Sequence, residues 1–253
     1  MLNLMKSEFI KLRTLRSTLV ATFILIAFPV VITVLNAFFL TQPKDTFMIE
    51  ILTTTGFVSM LMSGVLGVFA IAQEYSQGTI RITFASTPLR MKVYVAKALV
   101  LSLWVAFSVA LLEVIGLGIA SFALKRRGFD FGVMYKQSPD SAWHDSAWQV
   151  LFAFSAVCVL FALVGFALGA LLRNSPGAIS TLILVPLLVE GILVGLLSAV
   201  FKIDISRKVP FTAALNSVSI NPDGSRWSLV GYFGIWCLGL SILAALFMKR
   251  RDA

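Results

Sequence analysis

Apolar residues gather along the chain into six long runs, at 17–40, 51–72, 98–124, 148–172, 177–201 and 227–248. A helix needs about 20 predominantly apolar residues to cross the ~30 Å hydrocarbon core of a bilayer, and every run reaches that length. Four of them contain no charge, while 98–124 carries only Glu113 and 177–201 only Glu190. Lipid offers the backbone no hydrogen-bond partners, so such runs cross it as helices. Neither barrel-like alternation nor a repeat of 20–50 residues is present. The pattern predicts an all-α polytopic membrane protein, with a single transmembrane domain of six helices over 1–253. The first run is longer than a signal-peptide core and lacks a small-x-small cleavage site, so it is expected to remain as a span.

The segments between the runs are patterned too. In 1–16, Leu2, Met5, Phe9 and Leu12 recur at helical spacing while Lys6, Lys11 and Arg13 occupy other faces. This predicts a helix lying along the membrane surface, the alternative being a basic tail that only orients the chain. The segment 73–92 is longer than a simple connection requires. It is punctuated by Gly78, which permits positive φ, and by Pro88, which stops a helix at or before Thr87. A short helix held beneath the membrane between two spans is expected here, against the alternative of a solvated loop. Ser175-Pro176 reads as the N-cap and first position of the fifth span. Pro29 and Pro186 each delete a helix hydrogen bond, to the carbonyls of Leu25 and Leu182, and are candidate gating kinks. Gly165-x-x-x-Gly169 and Gly191-x-x-x-Gly195 allow close helix approach, within one chain or between two.

Composition sharpens the class. Hydrophobic residues make up 58% and charged residues 13% of the 253, against roughly 45–50% and 25% in soluble proteins, which excludes a soluble domain. The net charge of +9 is unevenly placed. The N-terminus, 73–97, the short fourth connection and the C-terminus hold Lys6, Lys11, Arg13, Arg16, Arg81, Arg90, Lys92, Lys97, Arg173, Lys249, Arg250 and Arg251 against Glu8, Glu74 and Asp252. The opposite connections nearly balance their charges, although Lys125, Arg126 and Arg127 run against the trend, and Trp143, Trp148 and Trp227 lie on that side. The asymmetry predicts both termini in the cytoplasm of a cell-membrane protein. It also accounts for the basic excess through anionic lipid headgroups, leaving nothing to suggest nucleic acid. Cys158 and Cys237 both sit in apolar runs, so no disulfide framework is indicated.

Chemistry is sparse. Glu113 and Glu190 are costly in hydrocarbon and are candidate pathway residues; the alternative is that each only locks helix packing. Asp140, His144 and Asp145 lack a second strong ligand and read as a solvated loop, so no metal site is expected. No G-x-S-x-G elbow and no G-x-x-x-x-G-K-[ST] loop occurs. Neither an enzyme nor a cofactor is indicated, and the chain has no ATPase site of its own.

Glu74, Gly78-Thr79-Ile80-Arg81, Pro88-Leu89-Arg90 and Lys97 resemble the coupling segment of the ABC type-2 exporter permeases. The stretch from Ser7 to Ser17 is similar to the N-terminal segment of many bacterial members, and Val209-Pro210-Phe211-Thr212-Ala213-Ala214-Leu215 to the family's external segment. The resemblance implies a permease subunit working by alternating access with a separate ATP-binding cassette subunit, in two copies, and with a second permease copy or a related permease. Glu74, Tyr75, Gly78, Thr79, Arg81, Pro88 and Arg90 would then form the contact with the ATPase, with Glu74 and Arg81 as its polar anchors. The alternative is a self-sufficient secondary transporter or channel using Glu113 and Glu190. No substrate is selected by either reading.

Overall fold

The protein was analysed as a computed structural model, which describes residues 1–39, 56–80, 90–126, 146–202, 208–219 and 222–250. Those residues are helical, with no strand among them, and six helices are long and apolar enough to cross a membrane. The helices are α1 (Leu2–Thr14), α2 (Arg16–Phe39), α3 (Gly56–Ser76), α4 (Arg90–Arg126), α5 (Ala147–Leu172), α6 (Ser175–Leu184), α7 (Glu190–Phe201), α8 (Pro210–Ser217) and α9 (Arg226–Arg250). A π-helical turn, Val185–Val189, joins α6 to α7, so that the two make one span.

The spans fall close to the apolar runs, with one informative exception. The third begins at Arg90 rather than near Ala98, so Lys97 belongs to the helix and not to the connection before it. At 1.5 Å per residue, 37 residues make α4 about 55 Å long, well beyond a ~30 Å core. A helix of that length exceeds the hydrocarbon core, and its basic residues lie at its two ends, with Arg90, Lys92 and Lys97 in the first turns and Lys125 and Arg126 in the last. The N-cap of the fifth span also differs by one residue. Asn174 adopts the extended conformation and its side chain faces the amide of Gly177 at 3.5 Å, which leaves Ser175 as the first helical residue.

The bundle is built around α3 and α5. A Cβ placed on Gly67 would stand 1.9 Å from the Ala162 carbonyl oxygen, and one on Gly165 would stand 1.9 Å from that of Gly64. Backbone meets backbone here, which brings the most closely packed pair of helices together. Gly169 packs on Val68 and Ile71, so the Gly165-x-x-x-Gly169 pair serves within the chain. Gly191 and Gly195 have open space around them, and the span that contains them is the least covered of the six.

Both prolines are accommodated locally. Pro29 has no amide hydrogen to give the Leu25 carbonyl, and the hydroxyl of Ser59 on α3 donates to that oxygen instead, at 3.2 Å. Pro186 lies inside the π turn, where the Glu190 amide reaches back five residues to the Val185 carbonyl. A π turn is a usual solution where a helix must absorb a missing bond.

The short helix α8 packs against the bundle. Phe211 and Thr212, at the start of α8, donate their backbone amides to the two carboxylate oxygens of Glu190 at 3.1 and 2.7 Å. Glu190 lies eleven residues before Phe201, so α8 begins about 16 Å along α7 from its end. The Phe211 ring sits between Phe161 and Phe233, with centroids 5.4 and 5.5 Å away. At the far end of α8, the buried Arg226 guanidinium donates to the carbonyls of Ser217 and Ser219. An anion at the N-terminus and a cation at the C-terminus both complement the helix dipole.

Candidate functional site

Three elements converge at the end of the bundle that carries α1, and each brings a charge on its buried face. On α1 that face holds Glu8 and Leu12, one turn apart. On α4 it holds Lys97 together with Val93, Val100 and Leu101. On α3, Glu74 follows Ile71 by three residues. Helical periodicity therefore aims Glu8, Glu74 and Lys97 at a common point, and Lys11 closes the group from the outer side of α1.

The four side chains form a ring of alternating charge. Lys97 Nζ is 2.6 Å from Glu8 Oε2 and 2.7 Å from Glu74 Oε1. Lys11 Nζ is 2.9 Å from Glu8 Oε1 and 2.9 Å from Glu74 Oε1. Each charge has two opposite neighbours, which is what offsets the cost of removing it from water. The Lys97 side chain is 3% exposed and that of Lys11 39%, so one lysine is an interior partner and the other a rim partner. Burial opposes the Lys11 ammonium, but the hydrogen bonds to Glu74 and Glu8 outweigh it and hold its pKa above the ordinary lysine value.

A cavity of about 360 Å³ adjoins the ring, lined by Gln73, Glu74, Gln77 and Thr79 as well as Glu8, Lys11 and Lys97. Glu74 Oε2 is buried and makes no hydrogen bond among the described residues. Ser17 and Gln73 exchange hydrogen bonds of 2.8 and 3.0 Å, tying the start of α2 to the end of α3 beside the ring. With two positive and two negative groups, the ring neutralises itself. It is suited to fastening helices rather than to holding an ion.

The residues expected to meet a partner are spread over this region. Glu74 is committed to the ring. Tyr75 is half-buried, with the Arg173 guanidinium 4.9 Å from its ring centroid. Gly78 takes φ +70° just after α3, the positive φ expected of it, and its amide bonds the Tyr75 carbonyl at 3.2 Å. Thr79 is exposed, and its hydroxyl lies 3.4 Å from the Glu74 carbonyl. Arg90 opens α4 and faces the Met248 carbonyl at 3.5 Å. Arg81 and Pro88, and with them the expected short helix, lie outside the described residues, as do Asp140, His144 and Asp145. Among the described residues no three His, Cys, Asp or Glu stand together as metal ligands would.

The two intramembrane glutamates have separate partners. Glu113 accepts a 2.9 Å hydrogen bond from Ser155 on α5. Glu190 accepts the two amides of α8 and also the Thr212 hydroxyl at 3.1 Å. They share no partner among the described residues, and the carboxylate of Glu190 is fully occupied in capping α8.

Glu8, Lys11 and Lys97 were not named as site residues by the sequence reading, which counted the lysines as topogenic charge and placed Lys97 in the resemblance to a coupling segment and Glu8 and Lys11 in that of the N-terminal segment. Two signals pointed to them. Glu8 is the lone acid in a basic segment, three residues before Lys11, and Lys97 interrupts an apolar stretch between Ala96 and Ala98. Comparison of the chain with family models and with curated proteins finds no match.

Proposed function

We propose that this chain is the membrane-spanning permease subunit of an ATP-driven ABC exporter, with both termini in the cytoplasm of a cell membrane. In this reading the two copies of a separate ATP-binding subunit act on a pair of permeases through the segment 73–92, and the pathway alternates between inward- and outward-facing states.

One observation carries the reading. Glu74, in the last turn of α3, and Lys97, two turns into α4, flank the second connection, 23 residues apart, and are joined by a 2.7 Å hydrogen bond. The connection is thus closed at its base, and the same two residues are bonded to Glu8 and Lys11 of α1. A force delivered to the connection would move α1, α3 and α4 as one body, which is what a partner needs in order to drive a membrane pathway. Glu74 serves the base in this scheme, while exposed Gln77, Gly78 and Thr79, with Arg81, take the partner contact. The occupied carboxylate of Glu190 weighs against the secondary-transporter reading, which needs it free to bind an ion.

The test is co-purification of the tagged full-length chain in mild detergent, followed by reconstitution. A subunit carrying a G-x-x-x-x-G-K-[ST] loop is expected to accompany the chain, and Arg81→Glu is expected to lose it while the permease still accumulates. Transport by vesicles that contain neither ATP nor an ATPase would overturn the reading.

A further inference from the structure

A second concavity lies on another face of α1 from the charge ring, between α1, α2 and α4. It is a groove of about 610 Å³ lined by Phe9, Ile26, Leu103, Trp104, Phe107 and Leu111, among others. Leu103, Phe107 and Leu111 succeed one another at four-residue intervals along α4, and all three are exposed. Phe9 meets Trp104 edge to face at 5.7 Å, fixing α1 as one wall.

The polar atoms of the floor are already paired. Trp104 Nε1 donates to Thr22 Oγ1 at 3.1 Å, Thr22 donates to the Thr18 carbonyl at 2.8 Å, and Ser108 donates to the Trp104 carbonyl at 2.8 Å. A floor whose polar hydrogens are all committed suits an apolar occupant.

We propose that this groove binds one acyl chain of an anionic phospholipid from the leaflet that carries α1, with its headgroup held against Lys6. Two further observations fix the occupant. From Val100 to Leu111 the groove follows eleven residues of α4, about 16 Å, which is half of a ~30 Å hydrocarbon core. The groove therefore spans one leaflet's depth of hydrocarbon.

The second observation is charge. Lys6 is the cation among the lining residues; it is exposed, and it has no ion-pair partner among the described residues. Lys11 and Lys97 do not line the groove and are neutralised by Glu8 and Glu74. An apolar slot lined by one uncommitted ammonium matches a single chain with an anionic headgroup. The site stands whether or not the chain is an exporter permease.

The test uses the full-length chain in detergent micelles doped with phosphatidylglycerol or phosphatidylcholine of identical acyl chains, with retained lipid counted by native mass spectrometry. One phosphatidylglycerol per chain is expected, preferred about five-fold, the effect of one basic residue near a headgroup. Lys6→Gln should abolish the preference. Leu103→Trp, which fills the groove from an exposed position, should cut retention of both lipids several-fold. Leu238→Trp, at an exposed position on α9 away from the groove, should change neither. Equal retention of the two lipids by the unaltered chain would overturn the proposal. So would retention unaffected by Leu103→Trp, or lost equally with Leu238→Trp.

Discussion

Lys97, seven residues inside α4, donates a 2.6 Å hydrogen bond to Glu8 of α1, a residue 89 positions earlier in the chain. The bond joins two almost fully buried side chains of opposite charge. It makes α1 an integral part of the bundle, whereas amphipathicity alone would only float it on the membrane.

Removing Lys97 leaves the largely buried carboxylates of Glu8 and Glu74 to share the partly exposed Lys11 as their one remaining cation among the described residues. Lys97→Met is therefore expected to destabilise the protein by about 3–5 kcal/mol, the usual effect of breaking a buried pair from one side. Lys11 is more than a third exposed, and Lys11→Met should cost about 1 kcal/mol or less. Thermal unfolding in detergent, followed by intrinsic fluorescence, ranks the two variants.

The pH dependence of the Lys11 contribution has a definite sign. Its pKa in the folded protein lies above the ordinary 10.5, so its contribution is complete below that value and is lost as pH rises through the folded value. The stability difference between the unaltered chain and Lys11→Met should thus be flat from about pH 6 to 9 and shrink only at strongly alkaline pH. A difference that changes near neutrality would contradict the assigned pairing.

Ser59 bonds the carbonyl that Pro29 leaves free. Ser59→Ala should cost about 1 kcal/mol in the natural background, within the range of interhelical hydrogen bonds in membranes. In a Pro29→Ala background the helix supplies its own amide to Leu25, and the same substitution should become nearly neutral. A double-mutant cycle on unfolding measures this coupling.

Glu190→Ala would strip the amides of Phe211 and Thr212 of their acceptor, with each unpaired group costing about 1–3 kcal/mol. The expected consequence is release of α8. Ala213 is fully buried on that helix, and the natural Cys158 and Cys237 are both buried. Ala213→Cys should resist a membrane-impermeant thiol reagent, and adding Glu190→Ala should make it reactive.

The glycines divide into two classes. Gly67→Ala and Gly165→Ala drive a methyl into a facing backbone carbonyl and should destabilise the protein by at least the ~1–3 kcal/mol of an overpacked core. Gly191→Ala meets open space and should leave folding yield unchanged.

Much of this fold was legible in one dimension. The bilayer sets a length and a polarity that a spanning helix must meet, so the six runs appear directly as apolar stretches of 22 residues or more. The freedom of Gly78 to take positive φ and the carbonyls stranded by Pro29 and Pro186 were equally visible, since each follows from the chemistry of a single residue. The start of α4 was harder to read. Arg90, Lys92 and Lys97 interrupt the hydropathy there, although the helix continues through them and is longer than a ~30 Å hydrocarbon core requires.

The amino-acid sequence by itself determined six helices long and apolar enough to cross a membrane, along with the amphipathic helix that precedes the first of them. Those features depend on local hydrophobicity and periodicity. Only the tertiary structure decided which charges meet: Glu8 and Glu74 with Lys11 and Lys97, and Glu190 with the start of α8. Such pairings depend on how each helix is rotated and how deeply it sits. That is governed by the backbone approach of α3 and α5 at Gly64, Gly67 and Gly165, and no periodicity along a single helix encodes the face its neighbour presents.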